Sequence, residues 1–441
     1  MPADSLEYEA IVADTTIELF DHPLDFEIEQ EGNWYHDPSI PDHLPTYQYT
    51  VVKPDFVFPD TIEHEILAEL FIPEELEEDT LANGRTTSNI DFLHALEDEA
   101  LRITDNWEEP IVEEAAPNAR RSRWNPSGRI RVMEREGGIN RGYLPVENIK
   151  VRIRRWFTIR TEYTDANGNY LIGRRFRRPV NYSVKFETPY AKISNWIGWD
   201  TRHDGPKRKG AWNVDFNWHS ESWVRATLIN AIVEYRVQYH RTGIQNPYPI
   251  SYWAGGEAVN KLNVRAVFKE GTGDMFAVRA NRIRIYSEFT RGRGNKETDD
   301  LYRVSFHELA HQSHWKLNRW NITWSTKILR ESWADYIEHI FIQQYYPNVR
   351  SDKQGDDRNA MSDGYSAIFI DLADNVNQRT RNSGSTNFPN DNVQGYTPSQ
   401  MQSAVKTSRK LEHVRDYLRD TYNNRTENNL NDLFDFYIDI Q

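Results

Sequence analysis

A chain of 441 residues, 38% hydrophobic and 13% aromatic, is long enough to bury roughly two or three cores and too apolar to be disordered throughout. It holds no cysteine, which excludes disulfides, a thiolate metal site and a cysteine nucleophile. It also lacks any run of about eighteen apolar residues that could span a bilayer, and a net charge of −14 without a nucleic-acid motif argues against nucleic-acid binding.

Charge is divided unevenly. Residues 1–119 carry 31 Asp and Glu against only Lys53, Arg85 and Arg102, a net −28, whereas residues 120–441 carry 50 basic and 36 acidic residues, a net +14. Opposite fields favour docking of the acidic third on the basic body and shielding of the functional cleft; a solvated surface is the alternative. The opening Met-Pro-Ala-Asp-Ser-Leu-Glu lacks the basic and apolar regions of a signal peptide. Frequent Pro and acidic residues over 1–88 predict an irregular segment. Asn89–Ile103 then spaces Ile90, Leu93, Leu96, Ala100 and Ile103 as a helix, and 108–119 reads as a linker.

From Trp124 the texture becomes that of strands. Gly128–Met133, Ile149–Arg154, Tyr170–Ile172 and Tyr182–Phe186 alternate with period two, and Asp165-Ala-Asn-Gly supplies a turn. Such short strands predict a small antiparallel sandwich over 120–190, with Arg152 and Arg154 on one solvent face. Pro145-Val-Glu-Asn-Ile-Lys-Val followed by Thr164-Asp-Ala-Asn-Gly-Asn-Tyr resembles the carboxypeptidase regulatory-like (transthyretin-like) module. That resemblance implies a β-sandwich accessory to an exported bacterial protein.

From 191 to 441 the pattern turns mainly helical. Ser222–Val237 predicts a buried helix, Leu262–Phe268 and Asn281–Ser287 predict strands, and helices are expected over 365–376, 398–422 and 427–439. Residues 347–364 read as a polar loop lining or covering a cleft.

The chemistry lies in Ser305-Phe-His-Glu-Leu-Ala-His-Gln-Ser-His-Trp and Arg330-Glu-Ser-Trp-Ala-Asp. His307 and His311, four apart on a helix, project from one face and can grip one ion. Glu331 can supply a third ligand. Two His and one Glu leave a tetrahedral position open, as in catalytic rather than structural zinc sites. Glu308 is placed to reach a water as general base, and Asp335 to orient a ligating imidazole. Satisfied histidines on an ordinary amphipathic helix are the plain alternative.

His307-Glu-Leu-Ala-His-Gln with Glu331-Ser-Trp-Ala-Asp-Tyr-Ile-Glu resembles the gluzincin metallopeptidases, both the thermolysin-like enzymes and the related aminopeptidases. The resemblance implies Zn2+ on His307, His311 and Glu331, Glu308 as base, Asp335 as orienting residue, and a peptide or protein substrate. It also implies an edge strand beside the metal helix, which points to Asn281–Ser287, and a tyrosine donor to the oxyanion, for which Tyr365 is the first candidate and Tyr396 the second. The Gly-Ala-Met-Glu-Asn segment of the aminopeptidases is missing. The longer metzincin motif fails, because His314 and Leu317 stand where it needs Gly and His; His314 remains either a spare ligand or, the favoured reading, a polar residue near the cleft. The expected whole is a multidomain α+β protein, a small β-sandwich followed by a mainly helical zincin-like domain with a small sheet. A zinc hydrolase of other amides and a non-catalytic adhesion or glycan-binding protein are the rival functions.

Overall fold

A computed structural model describes residues 123–155, 158–176, 178–195, 201–247, 261–275, 282–349 and 364–439, with short stretches before residue 104. The acidic segment, its shielding of a cleft and most of the 347–364 loop lie outside the described residues. Of the helix expected over 89–103, Glu99, Arg102 and Ile103 are described, and they are helical. The architecture is mixed α+β. It divides into two compact units: Met1–Arg131, Pro145–Thr188 and Asp200–Phe216 form one, and Val132–Leu144, Pro189–Trp199 and Asn217–Gln441 the other.

Strands open the described chain. β1 (Ser127–Glu136), β2 (Ile139–Pro145), β3 (Lys150–Arg155), β4 (Thr158–Tyr163), β5 (Asn169–Leu171) and β6 (Val180–Lys185) follow one another in the chain. Helix does not begin at 191 as the sequence suggests: β7 (Ala191–Ser194), β8 (Arg202–Arg208) and β9 (Val214–Phe216) continue the strand pattern.

In the first unit β4-β3-β6-β8 form an antiparallel sheet, with Val151 opposite Val184 and Ile153 opposite Tyr182. Alternation is satisfied by Val151 and Ile153, both fully buried, but Arg152 is only 6% exposed. The solvent face expected for Arg152 and Arg154 therefore holds for Arg154 alone; the sheet is covered on both sides at Arg152. β5 pairs with the first residues of β1. Before it, Asp165 Oδ1 accepts hydrogen bonds from the backbone of Asn167 (2.9 Å) and Asn169 (2.8 Å). Gly168 closes this turn at φ +75, where a Cβ would stand 2.3 Å from Ile130 O, so the turn demands glycine. Tyr182 packs 5.4 Å from Trp212, and Tyr170 donates to Trp212 O at 2.8 Å.

The second unit combines helices with a sheet. α1 (Glu221–Thr242) starts where Ser220 accepts from Trp223 N and ends at Gly243, φ +72. β10 (Leu262–Glu270), β11 (Gly273–Met275) and β12 (Arg282–Glu288) join β7 in the order β11-β12-β10-β7. β10 runs parallel to β7 and β12; β11 is antiparallel to β12. The strand expected at the sheet edge, 281–287, is thus an inner strand, and among the described residues the edges are β11 and β7. Three residues beginning at a glycine are too few to register as a strand in sequence.

α2 (Thr298–Leu317) begins with a capping box between Glu297 and Asp300. α3 (Arg319–Trp324) and α4 (Lys327–Ile342) follow. Tyr235 of α1, Phe306 of α2 and Phe341 of α4 meet with ring centroids 5.0–6.2 Å apart. All three are fully buried, so truncating Phe306 to Ala is worth about 3–5 kcal/mol. α5 (Ile368–Asp371), α6 (Gln378–Arg381), α7 (Pro398–Thr407), α8 (Leu411–Thr421) and α9 (Leu430–Ile438) complete the chain.

Two expected helices are shorter than their patterns. Tyr396 N and Gly395 N bind Leu372 O and Ala373 O, which ends the α5 region before Val376. Residues 398–422 break between α7 and α8, where Arg409 O accepts from Thr326 N, the residue that opens α4. A neighbouring backbone has taken a carbonyl that a continuous helix would have used.

Candidate metal centre

His307 and His311 lie one turn apart on α2; Glu331, Asp335 and Glu338 recur at spacings of four and three on α4, hence on one face. The aromatic packing of Phe306 against Phe341 presses these two faces together.

Three donor atoms converge. His311 Nε2 is 3.1 Å from His307 Nε2 and 3.2 Å from Glu331 Oε2, and His307 Nε2 is 3.4 Å from the same oxygen. Ligands about 2.0–2.1 Å from a tetrahedral zinc stand about 3.3–3.4 Å from one another. The trio fits such an ion. His307 Nδ1 lies 3.0 Å from Asp335 Oδ1 and 3.4 Å from Glu338 Oε2. A ring proton on Nδ1 is held there, which turns the Nε2 lone pair toward His311 and Glu331.

The local field favours positive charge. Burial disfavours a charged His307 ring, but hydrogen bonds to Asp335, Glu331 and Glu338 outweigh it and hold the imidazole well above its ordinary pKa. Burial likewise works to raise Glu331, yet hydrogen bonds to His307 and His311 hold it well below the usual carboxylate range. A cation at this point, proton or metal, is what the surroundings stabilise.

Glu308, 6% exposed, is one step round α2 from His307. Gly273 of β11 lies against it: a Cβ there would be 2.6 Å from Glu308 Oε1 and 2.8 Å from Val304 Cγ1.

Tyr365 reaches the trio. Its ring centroid is 6.3 Å from that of His307, and burial, followed by the nearby Glu331 carboxylate, raises its pKa. Ser332 of α4 anchors this segment, its Oγ 2.8 Å from Ser366 Oγ and accepting from Ser366 N at 2.9 Å. Tyr365 precedes α5 rather than opening a long helix. Tyr396 N donates to Leu372 O, and its phenol oxygen is buried without a hydrogen-bond partner. His314 is neither a ligand nor a cleft residue. It is 0% exposed, with both ring nitrogens unpartnered, and burial pushes its pKa down to about 3. Seven residues after His307 it still lies on the ligand face, but about a turn beyond His311, where packing buries it completely.

Glu338 and Arg303 were not singled out by sequence. Glu338 is 7% exposed, and its Oε1 accepts from Arg303 Nε at 2.9 Å while Oε2 faces His307. Its spacing of seven from Glu331 is the signal that could have found it; Gly273 has no comparable signal.

Comparison with protein-family models, curated proteins and solved structures finds no match to this chain.

Proposed function

We propose that the chain is a zinc-dependent peptidase of the gluzincin kind. One observation carries this reading: two imidazole nitrogens and one carboxylate oxygen stand 3.1–3.4 Å apart, the mutual spacing of donors around a tetrahedral zinc. Asp335 and Glu338 on His307 Nδ1 support it further, because a ligating imidazole needs its second nitrogen held.

When bound, zinc would supply Lewis acidity, polarising a carbonyl and acidifying a water. The chain's own residues do the rest. Glu308 accepts a proton from the attacking water and delivers it to the departing amine, so the carboxylate returns to its starting state. Tyr365 donates its hydroxyl to the oxygen that gains charge as the carbonyl carbon becomes tetrahedral. β11, the edge next to Glu308, offers backbone groups to an extended peptide, whose pairing depends little on side chains. That edge supports a peptide as the substrate.

We read the antiparallel first unit as an accessory β-sandwich of the carboxypeptidase regulatory-like kind, which goes with an exported protein. The Asp165–Gly168 turn supports this. Among the described residues no helix is long and apolar enough to cross a membrane.

The test measures zinc content and casein hydrolysis in the wild type and in Glu308→Gln. The reading expects about one zinc per chain in both proteins and hydrolysis lowered at least about 10²-fold in the variant. Wild-type protein that takes up no zinc, or equal hydrolysis by both, overturns it.

A further inference from the structure

In the first unit the sheet ends, among the described residues, at β4. Ile159, Arg160, Thr161 and Glu162 are exposed and Tyr163 is half-buried, so both faces of this strand meet solvent. Ile149 O accepts from Thr164 N at 3.1 Å, whereas Lys150 N donates to Glu187 O at 3.0 Å, on the β6 side. β3 therefore turns its odd-numbered residues toward β4, and the register sets Val151 against Glu162 and Ile153 against Arg160. Along β4 the backbone groups of Arg160 and Glu162 face β3; those of Ile159, Thr161 and Tyr163 face outward.

The strand's own charged side chains cover that outward row. Arg160 Nη1 donates to Ile159 O at 2.8 Å, and Glu162 Oε1 accepts from Tyr163 N at 3.1 Å. Charges at an edge turn away any strand that does not match them. This strand matches itself. In an antiparallel pair outward residues oppose outward residues, so a two-fold axis between identical strands passes through a residue. An axis at Arg160 sets that arginine against its own copy, and one at Glu162 does the same with the carboxylate. An axis at either end of the strand leaves fewer pairs. At Thr161 the axis brings Arg160 opposite Glu162 twice and Ile159 opposite Tyr163 twice.

We propose that β4 pairs with β4 of a second copy of this chain, antiparallel and centred on Thr161, joining two sheets into one. About six backbone hydrogen bonds form across the join, two for each outward pair. Ile159 O and Tyr163 N exchange their side-chain partners for each other. The released Arg160 and Glu162 then stand in the pairs without backbone bonds, where opposing side chains are closest. On the other face Ile159, 38% exposed, packs on the Tyr163 ring of the second copy. The pairing does not depend on the peptidase reading.

The test is sedimentation equilibrium on the full chain. Wild type, 52.0 kDa, is expected to move toward twice that mass as concentration rises. Arg160→Glu sets acids against acids and Glu162→Arg sets bases against bases, so each should raise the dimer dissociation constant at least about tenfold. Both positions are exposed, so both variants should fold. Mixed one to one, the two variants should form a mixed dimer, because the acids of one chain face the bases of the other. A wild type that stays monomeric at its highest soluble concentration overturns the proposal, as does either variant that dimerises like wild type. A mixture as monomeric as its components overturns it equally, since the effect then lies outside this pairing.

Discussion

Gly273 and Glu308 are in contact: the α-carbon of the edge strand sits so close to the carboxylate that any side chain at 273 would collide with it, a Cβ coming within 2.6 Å of Oε1. The residue proposed as base is thus backed by the backbone proposed to pair with substrate. Gly273→Ala should displace the flexible end of Glu308 and leave the fold in place. A displacement of about 1 Å costs on the order of 10²-fold in rate, so kcat/KM on a peptide should fall by that much at unchanged zinc content. Full activity in this variant would mean that Glu308 does not work in the position observed.

Glu338 divides its carboxylate between Arg303 and His307 Nδ1. Glu338→Gln weakens both links while leaving the three ligands. Zinc affinity, measured by competition with a chelator, should drop about 10- to 100-fold. An unchanged affinity would assign the orientation of His307 to Asp335 alone.

Tyr365→Phe keeps the ring beside His307 and removes the hydroxyl. If that hydroxyl serves the developing oxyanion, kcat should fall about 10²- to 10³-fold, with zinc content and KM nearly constant. A change confined to KM or to stability would return Tyr365 to a packing role.

Asp299, in the first turn of α2, is pushed up to about 6 by burial and then by Asp300. Between about pH 4 and 6 the folded state therefore holds a proton that the unfolded chain has released. Stability attributable to this group falls as pH rises through that window, and the full penalty stands above it. Asp299→Asn should raise the melting temperature at pH 8 and flatten its dependence between pH 4 and 6. Parallel profiles for variant and wild type would contradict this.

The convergence of His307, His311 and Glu331 was legible in the sequence because it depends on periodicity within two helices. A spacing of four places His307 and His311 on one face wherever a helix forms, and the same rule puts Glu331 and Asp335 together. The strands of the first unit were legible for an equally local reason, alternation and a turn that only Asp165 and Gly168 could build. Length was harder to read. Whether 398–422 is one helix or two depends on Arg409 O, whose partner Thr326 lies far away in the chain.

What the sequence determined by itself was which side chains share a face; which faces meet was decided by tertiary structure. Packing of Phe306 on Phe341 sets Glu338 behind His307, and hydrogen bonding of β11 to β12 makes Gly273–Met275 the edge beside Glu308. Local periodicity repeats with the chain's own geometry, whereas contacts between distant segments depend on shapes and hydrogen-bond partners that no single stretch contains.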